Sequence, residues 1–267
     1  MYRLLALDLD GTLLRSDHSI DPRDVAAIAE LQRAGVTVTI VTGRLRSGAT
    51  AAARTCAIDG LIACVEGSHL VDLGRDATVA HHPLSADATA RWHAAVDDAG
   101  LARFVFDAHG VHHAADGARY ARYVATWSPA LRVVADGAWP DDALATVAIG
   151  DPAAVAAAHA AIAADPGVTA VRFAVSAHPG ADALLVRAAG PTKGTALAAL
   201  CDAAGCTLAD AVAIGDWQND VPMFRVAGRA FAMGSAPDDV RAVATDVLAT
   251  TAGAGGGIAE AIRRAWG

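Results

Sequence analysis

The chain has 267 residues, 54% of them hydrophobic and 19% charged, with 25 glycines and 10 prolines. At roughly 150 residues per domain this is one to two domains with ample length for a buried core, and the composition excludes a disordered or collagen-like chain. Against 29 acidic residues stand 21 basic ones, a net charge of −8 without long runs, which argues against a nucleic-acid backbone or an anionic membrane as partner.

No stretch approaches the roughly 18 consecutive apolar residues of a membrane span. The segment MYRLLALDLDGTLL carries acids by position 8 and has no long apolar region, so no secretory signal is expected at this terminus. Cys56, Cys64, Cys201 and Cys206 form no CxxC pair. They read as reduced, buried thiols, and a cytoplasmic location is expected. All but one of the basic residues are arginines, and the exception is Lys193. One lysine among so many arginines points to a place where a compact ammonium cannot be replaced by a planar fork, although chance survival accounts for it equally well.

In chain order, residues 3–9 form a short apolar run with acids at its end, the pattern of a buried parallel strand leading into a loop. Asp21-Pro22 marks a helix start, and Val25, Ile28, Ala29 and Leu31 follow before Gly35. The β-branched run at 36–41 ends in Thr42-Gly43-Arg44, and a helix over 46–56 and a strand over 61–65 complete repeated β-α-β units. Between 82 and 187 the alternation changes: helix 86–99, strands 103–107, 110–114 and 144–149, helix 152–164, strands 168–175 and 182–186. Helix 193–204, strand 210–214, a helix over 218–226, a strand near 229–233 and a final helix from 257 restore the first pattern. We expect an α/β protein with a Rossmann-like, doubly wound parallel-sheet core at 1–81 and 188–267 and an inserted α+β domain at 82–187.

Four constellations sit at strand ends or helix starts. Asp8-Leu9-Asp10-Gly11-Thr12 closes the first strand. Alternate strand residues share a face, so both carboxylates are expected to converge in a solvent-open site beyond the carboxyl edge, where open α/β sheets bind ligands. Such a pair invites Mg²⁺, though an acidic turn built on Gly11 has the same sequence. Thr42 and the Gly43 amide could hold a phosphate oxygen, with Arg44 reaching an anion; a strand-end turn is the alternative. Lys193 opens a helix, where ammonium and backbone amides together suit an anionic oxygen. Asp216 follows another strand and could complete the metal site begun by Asp8 and Asp10. Asn219 and Asp220 are further candidates there, or merely helix caps.

The motifs DLDGTLL (8–14), VTGR (41–44), TKGTAL (192–197), GDWQNDVPMF (215–224) and AMGSAP (232–237) together resemble the haloacid dehalogenase superfamily. Within it they are most similar to the Cof-type sugar-phosphate phosphatases with a type IIB α/β cap, inserted where the α+β block lies. The resemblance implies a Mg²⁺-dependent phosphatase acting on small phosphorylated metabolites. Asp8 would be the nucleophile and Asp10 the general acid and base. Thr42, Gly43 and Lys193 would hold the phosphoryl group. Asp8, the Asp10 carbonyl and Asp216 would bind the metal, with Asn219 and Asp220 supporting Asp216 and Lys193. Related readings are a phosphomannomutase or a trehalose, sucrose or mannosylglycerate phosphatase; a non-catalytic binding module is disfavoured by the intact acids and lysine.

The chain departs from the pattern at Glu66-Gly67-Ser68, where many relatives have Asn-Gly-Ala, at Leu185, where relatives often carry an acid, and at TTAGAGGG (250–257). Seven of the ten histidines lie between 69 and 113. A zinc site there is conceivable, but no paired spacing on one helix supports it, and scattered surface or core histidines fit better. Trp217, inside the fourth motif, could border the substrate entrance.

Overall fold

The computed structural model describes residues 1–135 and 137–267. Its elements in chain order are β1 (Leu4–Leu7), α1 (Pro22–Arg33), β2 (Thr37–Ile40), α2 (Arg46–Thr55), β3 (Leu61–Cys64), β4 (His69–Asp72), β5 (Ala77–His81), α3 (Ala86–Asp98), β6 (Ala102–Phe106), β7 (Val111–His113), α4 (Ala121–Val124), β8 (Leu131–Val133) and β9 (Ala145–Gly150), then α5 (Pro152–Ile162), β10 (Val168–Ala174), β11 (Asp182–Ala188), α6 (Lys193–Ala203), β12 (Ala211–Gly215), α7 (Val221–Phe224), β13 (Arg229–Ala232), α8 (Asp238–Arg241), β14 (Asp246–Val247) and α9 (Gly257–Trp266). The chain divides into two compact units: Met1–Gly43, Ala49–Ala80 and Pro191–Gly267 form the first, Arg44–Gly48 and His81–Gly190 the second.

The first unit is α/β. Its sheet runs β14-β13-β12-β1-β2, every pairing parallel. β1 lies at the centre, and all four of its residues are buried, which is why it reads as an unbroken apolar run. The chain leaves β1 for β2 on one side and returns to β12 on the other. That reversal opens a crevice at the carboxyl edge, the ligand-binding position of a doubly wound sheet. Local signals set the helix starts. Asp21 caps α1 by accepting from the Arg23 amide, with Pro22 following, while Thr192 and Thr195 form a reciprocal cap on α6.

Two expectations change here. The strand at 61–65 does not extend the parallel series as a full member: β3 pairs antiparallel with β4, and only a bridge between Val41 and Ala63 continues the parallel order. Val65, Glu66 and Gly67, all at positive φ, reverse the chain at once and leave no crossover helix between β3 and β4. The helix expected over 218–226 is instead a 3-10 turn, Gln218–Asp220, and the single turn α7. Pro222 lacks an N–H, and the Asp220 carboxylate engages the amides at the head of the turn, so an ordinary helix start is not built.

The second unit is α+β. Its six-stranded sheet runs β10-β11-β9-β6-β7-β8, antiparallel except for β7 with β8. Trp92, Val96, Val155, Ala158 and Ile162 from α3 and α5 pack on Val105, Ala148, Leu184 and Val186 of the sheet. β8 and α4 were not legible in the sequence because each spans a single short turn or three residues.

Candidate active site

β1 and β12 are neighbours in register, Leu7 beside Ile214, and the Asp8 amide donates to the Ile214 carbonyl at 3.0 Å. Asp8 and Asp216 therefore emerge side by side at the carboxyl edge. Lys193, the first residue of α6, reaches the same place. Its fully buried ammonium donates to Asp8 Oδ1 at 2.5 Å and to Asp220 Oδ1 at 2.6 Å. The other Asp220 oxygen accepts the amides of Asp216 at 2.8 Å and Trp217 at 2.9 Å. One buried carboxylate thus fixes both the lysine and the loop that carries Asp216.

Among the described residues, one carboxylate oxygen each from Asp8, Asp216 and Asp220 lies within 4.8 Å of the others. Burial, with Asp220 adding to it, pushes Asp216 up to about 7. Asp8 is likewise driven well above the usual carboxylate range by burial, against the pull of Lys193 and with the push of Asp220 and Asp216. Lys193 is opposed by its own burial, but Asp220, Asp8 and Glu66 outweigh it and hold the ammonium protonated. A cluster of hard oxygen donors in which burial first, and neighbouring carboxylate charge after it, raises the proton affinity of Asp8 and Asp216 is the donor set that a divalent cation such as Mg²⁺ suits. Because both Asp220 oxygens are already engaged, Asp8 and Asp216 are the carboxylates left to take it.

Asp10 does not share a strand face with Asp8. β1 ends at Leu7, the chain turns, and Leu14 donates back to the Leu9 carbonyl at 2.7 Å, leaving Asp8 buried and Asp10 exposed. The Asp10 charge still reaches Asp216. The expectation that Asp8 stands open to solvent fails, since it is 4% exposed. Gly11 has φ +77°, and a side-chain carbon there would run into the Asp216 carboxylate, which Thr12 Oγ1 also contacts at 3.3 Å.

Thr42 is buried and Gly43 exposed beyond β2. Thr42 donates its amide to the Ala63 carbonyl at 2.9 Å and accepts the Glu66 amide at 3.0 Å. Asn219 does not support Asp216; its Nδ2 donates to Glu66 Oε1 at 2.8 Å. Glu66 was visible in the sequence only as a departure, yet it is buried among these loops at φ 57°, after Val65 at φ 48°. A left-handed valine and glutamate cost on the order of 1–3 kcal/mol each, so the surroundings must hold them there. Gly67 does part of this: it packs so closely on α6 that a side-chain carbon would sit 2.9 Å from the Thr192 carbonyl oxygen.

Arg44 belongs to the second unit, where its guanidinium donates to the Gly48 carbonyl at 3.3 Å. Trp217 is 58% exposed. The histidines have local partners: His112 with Asp107 at 2.8 Å, His81 with Asp142 at 2.7 Å, His69 with Thr78 at 3.0 Å. Among the described residues they form no metal-holding group.

The family model for haloacid dehalogenase-like hydrolases matches residues 5–262. The chain belongs to that family. This hydrolase shares its fold with solved relatives. A haloacid dehalogenase-like hydrolase from Bacteroides thetaiotaomicron is 23% identical, with 99% of each chain covered and a TM-score of 0.87. A phosphatase of the same superfamily from that organism is 22% identical over 99% of this chain and 95% of its own, with a TM-score of 0.80. A subclass IIB sugar phosphatase is 20% identical over 98% of each chain, with a TM-score of 0.81. Among the described residues of the hydrolase, no helix is long and apolar enough to cross a membrane.

Proposed function

We propose that this hydrolase is a Mg²⁺-dependent phosphoric monoester hydrolase acting on small phosphorylated metabolites, sugar phosphates in particular. The observation that carries the reading is the buried Lys193 ammonium held between Asp8 and Asp220 beside Asp216. Phosphoryl transfer brings a carboxylate and a phosphate together, so a site for it needs fixed positive charge more than it needs covalent machinery.

Lys193 occupies Asp8 Oδ1, which leaves Oδ2 to attack phosphorus. The new Oδ2–P bond forms as the bond to the leaving alcohol breaks, and Asp10 protonates that alcohol. Asp10 then takes a proton from water, whose oxygen displaces Asp8 from the aspartyl phosphate and releases inorganic phosphate. Thr42, Gly43 and Lys193 hold the phosphoryl oxygens throughout, and Arg44 contacts substrate. Asp8, the Asp10 carbonyl and Asp216 would hold Mg²⁺, which when bound neutralises charge on the phosphoryl group and on the clustered carboxylates. The inserted α+β segment at 82–187 acts as the cap and selects the leaving group. Four buried free thiols accord with a cytoplasmic location.

Phosphate release from a panel of phosphorylated metabolites, with Mg²⁺ or with chelator, tests the reading in wild type and Asp8→Asn side by side. Metal-dependent release that the variant loses is the expected result. Folded protein that releases phosphate from no monoester would overturn it, in favour of a mutase or a non-catalytic binder.

A further inference from the structure

Loops at the carboxyl edge meet at one residue, Glu66, that the chemistry above leaves without a role. Its side chain accepts from Asn219 of the fourth motif at 2.8 Å. Its amide donates to the carbonyl of Thr42 in the second motif at 3.0 Å. Its Oε1 crowds Gly43 so closely that a side-chain carbon on the glycine would lie 2.5 Å away. Its charge is also felt at Lys193 of the third motif, the third anion there after Asp220 and Asp8. The hydrogen bond it accepts comes from the neutral Asn219 amide. The carboxylate is buried, where charges interact more strongly than in water.

We propose that Glu66 weakens the grip of the site on phosphate and so speeds product release. The inference rests on the assignment of Thr42, Gly43 and Lys193 to the phosphoryl oxygens. An anion set against the Gly43 backbone repels the dianion that this backbone and Lys193 attract. The same repulsion falls on the ester, but the free product is held by the phosphoryl contacts alone and must leave before the next turnover. A role limited to bracing Asn219 predicts no change in phosphate affinity when the charge alone is removed, because a neutral side chain with the same acceptor oxygen keeps that brace.

The test is calorimetric titration of inorganic phosphate into wild type, Glu66→Gln and Glu66→Ala, all with Mg²⁺. Glu66→Gln keeps an oxygen for Asn219 and removes the charge; Glu66→Ala removes both. The expected result is a Kd for phosphate roughly tenfold lower in Glu66→Gln, with competitive inhibition of turnover by phosphate strengthened to match. An unchanged or higher Kd in Glu66→Gln overturns the proposal, as does failure of phosphate to bind either protein. Because binding is read directly, the two readings separate. Esters cleaved normally with no tightening in Glu66→Gln would refute this inference and spare the hydrolase reading. Tightening in a protein that cleaves no ester would do the reverse.

Discussion

Lys193 has two carboxylate partners, and the structure predicts that they are not equivalent. Asp220 is completely buried, with one oxygen on the Lys193 ammonium and the other on two backbone amides. In Asp220→Asn neither orientation of the amide serves both sides, because its NH₂ must face either the ammonium or two N–H donors. Breaking a buried charge pair costs about 3–5 kcal/mol. Asp8 still holds the lysine, so the lower end applies, about 3 kcal/mol, or roughly 6–12 °C in Tm for a chain near this length. Asp8→Asn differs. Burial and the Asp220 and Asp216 charges already oppose its ionised form, so the loss of one bond to Lys193 is offset by relief of repulsion, and stability changes by about 1 kcal/mol or less. Thermal unfolding of both variants in chelator near neutral pH, followed by circular dichroism, measures the difference. Activity with Mg²⁺ is expected to be lost in Asp8→Asn although that variant remains folded. An Asp220→Asn melting point within about 2 °C of wild type, or an equal loss in Asp8→Asn, would refute the asymmetry.

Lys193→Arg places a wider planar fork in a site with no exposed surface, and kcat is expected to fall by about 100-fold or more; near-normal kcat would remove the argument for a point charge. Gly11→Ala drives a side-chain carbon into the Asp216 carboxylate at a backbone angle alanine resists, so the Mg²⁺ concentration for half-maximal activity is expected to rise on the order of tenfold. Hydrogen bonds from Arg229 first, then Arg264, hold the Asp246 carboxyl below its ordinary range. That contribution to stability is complete above the unfolded value and is lost as pH falls through the folded one, so wild type is expected to weaken below about pH 4. In Asp246→Asn the same fall, read as the shift in urea midpoint between about pH 6 and about pH 3, should be smaller.

What was legible along the chain was local. The apolar run through β1, the Asp21-Pro22 start of α1 and the thiols that turn out buried all follow from patterns a few residues long. The short elements were not: α4 and β8 carry too few residues for a period, and the left-handed turn after β3 lies at Val65 and Glu66 rather than at glycine alone. The extent of β1 was overestimated by one residue at its start and two at its end, and the latter two carried the expectation of a shared strand face for Asp8 and Asp10.

By itself the sequence determined which residue types stand at strand ends and helix starts, because propensity, capping and apolar periodicity act over a few positions. It also determined, through the order of the motifs, the family to which the chain belongs. Only the tertiary structure decided partners. Lys193 meets Asp8 across 185 residues of chain, and Asn219 turns to Glu66 across 153 rather than to Asp216. Those choices depend on β1 and β12 lying in register and on α6 resting against Gly67. They are set by packing between distant segments, which spacing along the chain does not encode.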